Sequence, residues 1–400
     1  MSTPHESLTT EPAASTSPEQ KIRLRFLDGL RGLAALYVLI SHTVGQVQEG
    51  LLSTGRQPAV WFRLLRLPLE WGPDAVGVFI VLSGFCLMLP VVRSEDGRLR
   101  GGLLEFFRRR SLRILPAYYA ACVLGVAWLV LDAYVDAHGP ISFSDALGRS
   151  GLTPGVLLSH LFLVHDVRPD WINGIEAPLW SIAIEWHIYF IFALILLPLW
   201  RRWGLGPCVV LAVVVGSGPH WLLKSPYNVD WTHPYMLGLF AMGMAGAVIC
   251  FSTDAKYVRV RDLPWGRVFA SMVVVTYILV AWVLHKRPDF FIMTPLVGLT
   301  ATSLILWCVQ SLSTSAEAHG NVILRLLESR VAVGLGAFSY SLYLIHGLIV
   351  VHVKSVMQQT SNLPVFYAGT IVLCLGLSIG AAYVLYLVFE RPFLKMKDRG

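Results

Sequence analysis

The chain has 400 residues, of which 55% are hydrophobic and only 14% charged, against about 25% charged in an ordinary soluble domain. So few charges cannot cover a water-facing surface, which excludes a string of soluble domains. The net charge of +7 does not point to nucleic acid, because the basic residues sit in short clusters beside apolar runs, where they act as topology signals.

In chain order, Met1 to Gln20 is rich in Ser, Thr, Pro and Glu and lacks apolar periodicity, which predicts a disordered cytoplasmic tail. Residues 21–394 read as one transmembrane domain and 395–400 as a second short tail. A span needs about 20 mainly apolar residues. Such runs occur at Leu27–Gly45, Pro73–Val92, Ile114–Tyr134, Pro178–Trp200 and Leu205–Leu223. Five more follow at Pro234–Phe251, Gly266–Leu284, Phe290–Gln310, Val331–Val353 and Val365–Phe389. These predict an all-α, polytopic transmembrane bundle of about ten spans. The first run is too long for a cleaved signal peptide and lacks a small-residue cleavage site. Val156–Val164 is too short to span and is assigned to the interface or to packing on the bundle. The six cysteines all lie in apolar stretches and show no metal-ligand or redox spacing, so no metal site is expected.

Orientation follows from Lys and Arg in alternate loops. With the N-terminus inside, 22 of the 32 fall on inner segments, including seven between Arg93 and Arg113, against nine outside. Both termini are therefore expected in the cytoplasm. The long outer connection from Val135 to Ala177 carries acids and aromatics, among them Asp166, Trp171 and Glu176, and is a candidate cap for an outward-facing cleft.

An ionisable side chain in hydrocarbon costs several kcal/mol unless partnered, so each is a candidate functional group. In the first span Arg31 and His42, eleven residues apart, fall about 20° apart around a helix and roughly 16 Å apart along it. Asp28, one turn before Arg31, can hold its guanidinium. A cation near the cytoplasmic end and a base in the outer third suit a long substrate with a phosphate-bearing head, and the pantetheine arm of coenzyme A has that order of length. Counted from the span ends, Glu185 and His346 reach the same outer layer as His42, which nominates Glu185 as the group that orients the imidazole. His187 points about 200° away from Glu185 on a helix. Tyr189 and Tyr343 each lie one turn from this layer and are candidate supporting donors. Arg110 and Arg113, three residues apart before Pro116, would grip phosphate together on one helix face. Gly77 and Ser83-Gly84 read as close-packing positions.

These residues resemble the acyltransferase-3 family of integral membrane O-acyltransferases over about Phe26 to Phe393. Phe26 to Ala35 with Ser41-His42 is similar to its Arg, ten residues, His signature, and Val78 to Phe85 to its second-helix motif, with Ile80 where a second Phe is usual and Gly77 where Asp is common. Arg110 and Arg113 match the family's paired arginines, Trp180-Ser181 with Glu185 and Tyr189 its fourth-span acidic motif, and Ser339 to His346 its late Tyr/His motif. Glu390-Arg391-Pro392 is also typical.

The resemblance implies transfer of an acyl group, acetyl foremost, from acyl-CoA to a hydroxyl of a carbohydrate, envelope glycan or glycosylated small molecule. Arg31, Arg110 and Arg113 would hold the coenzyme A phosphates and His42 would act as base or transient acyl carrier. Only about ten residues follow the last run, so no fused soluble partner is expected. Two other readings stay open: an antibiotic O-acyltransferase acting on a macrolide, and a proton-coupled transporter, for which buried Asp, Glu and His would form a relay. A transporter commonly carries internal repeats, and none is convincing here.

Overall fold

A computed structural model describes residues 24–70, 72–137, 141–223, 229–283, 290–313 and 320–397. The expected N-terminal tail lies outside these residues. The described chain is helical and contains no strand. Its long helices are α1 (Arg25–Ser53), α2 (Gly72–Val92), α3 (Gly102–Asp136), α4 (Trp180–Ile191) and α5 (Leu205–Leu222). They continue as α6 (Met236–Phe251), α7 (Trp265–Val283), α8 (Phe290–Ser313), α9 (Ser339–Met357) and α10 (Leu363–Leu385). Each apolar run read from the sequence overlaps one of them. Eight helical segments among the described residues are long and apolar enough to cross a membrane. In α7 the described apolar stretch is shorter, Trp265–Ile278.

Helix α1 is the exception by composition, since Arg25, Asp28, Arg31, Ser41 and His42 dilute its hydropathy. It packs against α2, α9, α10 and the short helix Arg330–Ala337, and Phe26, Val38 and Leu39 are buried in the core. Arg31, Ser41 and His42 are tolerated because they meet protein groups rather than lipid, whereas Arg25 is exposed.

Two boundaries differ from the sequence reading. The span expected to begin at Ile114 lies on a helix that already starts at Gly102, so Arg108 to Arg113 lie on continuous helix. The run Val331–Val353 is not one helix, because the chain breaks at Phe338 between Arg330–Ala337 and α9. The break lets Arg330–Ala337 lie against the start of α1, where a Cβ on Gly336 would run into the Asp28 carbonyl and one on Gly32 into the Ala332 carbonyl. Small residues permit this approach of two backbones. Helices α2 and α6 use the same device, with Gly84 against Phe240 and Gly243 against Val81.

Gly336→Ala is therefore expected to destabilise the detergent-solubilised protein by about 1–3 kcal/mol, the usual cost of overpacking, and to lower its thermal midpoint. Gly334→Ala is the control. A Cβ there meets nothing within 4 Å, and removing a mid-helix glycine should stabilise by about 0.5–1 kcal/mol.

The outer connection folds back onto the bundle. Its helix Pro154–Leu161, eight residues long, is too short to span, as expected. The Tyr118 hydroxyl donates to the His160 carbonyl at 2.9 Å, the His160 and His165 rings stack with centroids 4.0 Å apart, and Asp166 lies 3.2 Å from His187 of α4. Burial pushes the His160 imidazole down to about 4, so it is neutral at physiological pH and adds no charge to this packing.

Candidate active site

A cleft runs between α1, α2, α3, α4 and α9, with about 750 Å³ of free space, its open mouth included. Arg31, Arg110 and Arg113 line it together with Glu185, Tyr189 and Tyr343. Six of the nine residues singled out in the sequence thus meet in one place.

The helix explains which arginines arrive there. Glu105, on the first turn of α3, takes Arg108 at 2.7 Å and Arg109 at 3.2 Å, holding both near the surface. Arg110 and Arg113 of the same helix instead line the cleft. The Arg110 guanidinium sits about 6 Å over the Phe106 and Tyr189 rings, and its Nε is buried without a hydrogen-bond partner among the described residues. Arg31 is held by Asp28 at 3.3 Å, the pairing expected one turn apart, and reaches the Cys86 thiol at 3.9 Å. Asp28 itself is half exposed and does not line the cleft.

Glu185 does not serve the imidazole. Among the described residues its carboxylate accepts hydrogen bonds from Ser83 at 2.9 Å and from the Tyr189 hydroxyl. Tyr189, one turn on, is its donor, as its spacing allows. Ser83, read from the sequence as a close-packing position, instead presents its hydroxyl to Glu185, while the neighbouring Gly84 does the packing. Glu390 was legible only as part of a typical terminal motif. It is buried, accepts from Ser341 at 2.6 Å and lies where it attracts Arg113.

His42 pairs with His346. His42 Nδ1 and His346 Nε2 are 2.8 Å apart, and the rings stack with centroids 5.0 Å apart. His346 Nδ1 lies 2.7 Å from the Tyr343 carbonyl oxygen, which can only accept, so this nitrogen carries the proton. In a neutral His346 the other nitrogen, Nε2, is then the acceptor, and His42 Nδ1–H must donate to it. His42 is left with its lone pair on Nε2. The Tyr343 side chain, one turn before His346, lines the cleft and bonds Ser181 at 2.8 Å. The histidine pair therefore adjoins the cleft through one turn of α9.

An acyltransferase domain family matches residues 24–386 of the chain. The chain belongs to this acyltransferase family. It is 25% identical to acyltransferase MdmB of Streptomyces mycarofaciens over 96% of its own length and 94% of that protein's. It is also 25% identical to nodulation protein 10 of Rhizobium leguminosarum bv. viciae, over 54% of this chain and 58% of the relative. To the peptidoglycan O-acetyltransferase OatA of Listeria monocytogenes it is 26% identical, over 48% of this chain and 27% of that protein. No solved structure matches. The matched region takes in the three arginines of the cleft and both histidines.

Proposed function

We propose that this membrane acyltransferase moves an acyl group, acetyl foremost, from acyl-CoA to a hydroxyl of a carbohydrate, envelope glycan or glycosylated small molecule. The observation that carries this reading is the hydrogen-bond chain from the Tyr343 carbonyl through His346 to His42, next to a cleft lined by three arginines. Arg31, Arg110 and Arg113 bind the coenzyme A phosphates, for which guanidinium geometry is well suited. His42 Nε2 takes the proton of the acceptor hydroxyl as its oxygen attacks the thioester carbonyl carbon. The C–S bond then breaks, and the thiolate leaves with the proton that His42 returns. The products are an ester and coenzyme A, with no net proton released. His346 stabilises the transient imidazolium through its lone pair, the part first assigned to Glu185. Glu185, held by Ser83 and Tyr189, lines the same cleft as Arg110 and Arg113. The likeness to a peptidoglycan O-acetyltransferase supports a glycan hydroxyl as acceptor.

The test is incubation of membranes carrying the chain with radiolabelled acetyl-CoA, followed by counting of envelope glycan and solvent-extracted metabolites. Label in the glycan fraction supports a glycan acceptor, and label in the extract a glycosylated small molecule. Coenzyme A release no faster than in membranes lacking the chain overturns the reading and favours the transporter alternative.

A further inference from the structure

The outer connection delivers one buried acid that the scheme above does not use. Glu176 is the last residue before the turn Ala177–Leu179 that opens α4, and it is 6% exposed. Its Oε1 accepts the backbone N–H of Leu348 at 2.8 Å, two residues past His346. Gly347, between them, has no side chain, and the carboxyl group and the Pro178 ring occupy the space where one would be. A Cβ on Gly347 would lie 2.8 Å from Glu176 Oε1 and 2.9 Å from Pro178 Cδ. The second oxygen, Oε2, is buried without a hydrogen-bond partner among the described residues. The same short segment continues into Pro178, whose carbonyl accepts from Ser181, and Ser181 bonds Tyr343, whose own carbonyl fixes His346. Residues 176–181 thus hold α9 on both sides of His346.

We propose that Glu176 is a positioning residue for acyl transfer: seated on the backbone of α9 just past His346, it sets where His346 stands relative to His42. The inference rests on His42 being the base. Burial raises the Glu176 carboxyl to about 8. The titratable groups facing it are Cys122 of α3 and Tyr343 of α9, with His346 next in the chain to Gly347. None of them is a cation at neutral pH that would favour a carboxylate. The sign follows directly. Below about pH 8 the group is a neutral acid that a dry contact with α9 tolerates. As pH rises through that value it becomes a buried, unpaired anion, which must draw in water or move, and the His42–His346 distance is lost with it.

The experiment uses membranes carrying the full chain, which supply the acceptor, with acetyl-CoA as probe, reading coenzyme A release above that of membranes lacking the chain from about pH 6 to about pH 9 in wild type, Glu176→Gln, Glu176→Ala and His42→Ala. Glu176→Ala is expected to lower kcat by about tenfold to a hundredfold, the scale of a misplacement near 1 Å, with the KM for acetyl-CoA unchanged. Glu176→Gln, a neutral group of the same shape, is expected to recover most of that loss and to flatten the alkaline fall seen in the wild type. An Ala variant with wild-type kcat and pH profile overturns the proposal, as does a Gln variant that keeps the wild-type alkaline fall. His42→Ala separates the two claims. Turnover by that variant refutes the base itself, whereas an inactive His42→Ala beside an unaffected Glu176→Ala refutes only the positioning role.

Discussion

Replacing His42 by alanine is expected to lower acyl transfer by about 10²- to 10⁴-fold, the contribution of a positioned general base, while the protein stays folded in the membrane. Among the described residues the imidazole makes one hydrogen bond, to His346, and the surrounding faces of α1, α9 and α10 are held by apolar contacts that do not involve it. The loss should appear in kcat, since the arginines that bind the donor are untouched. His346→Ala should be damaging but milder. It removes the acceptor that orients His42 and shares its charge, yet leaves the base in place. His346→Gln, whose side-chain carbonyl can accept from His42 Nδ1–H, should recover part of the activity. Labelled product formed from acetyl-CoA in membranes matched for expression is the measurement, and near-wild-type turnover by His42→Ala would remove it as the base.

Arg113→Ala and Arg110→Ala should each raise the KM for acyl-CoA by about tenfold to a hundredfold, because a hydrogen bond to a charged group is worth about 1.5–3 kcal/mol and each 1.4 kcal/mol is a factor of ten. The double variant should lose more than either alone. Lysine at these positions should restore the charge but not the two-pronged grip on phosphate, so Arg113→Lys is expected to fall between wild type and alanine. Arg108→Ala is the control, since Arg108 is engaged by Glu105 at the surface and should leave the KM unchanged. Binding of coenzyme A to the purified protein, followed by calorimetry, checks the same order without turnover. Equal effects at Arg108 and Arg113 would mean that the cluster acts as a diffuse positive field rather than a built site.

Much of this protein is legible without coordinates because its spans are local. A run of about 20 apolar residues forms a helix whose backbone bonds are all internal, so the positions of the spans follow from hydropathy alone. The spacing within one helix is equally local. It placed Arg31 and His42 on one face of α1, Asp28 within reach of Arg31, and Arg110 beside Arg113. What sequence could not decide is which helices stand next to one another, and there the structure sets His42 beside His346 while Glu185 meets Ser83 and Tyr189. Depth put Glu185 and His346 in the same layer, but two groups at one depth can belong to different interfaces. The pairing of His42 with His346 joins residues 304 apart in the chain, and the Ser83–Glu185 bond residues 102 apart. The same helices also make close glycine crossings, α1 on Arg330–Ala337 and α2 on α6, which no hydropathy pattern predicts. A hydropathy pattern records that a face is polar; only the packed bundle determines what that face meets.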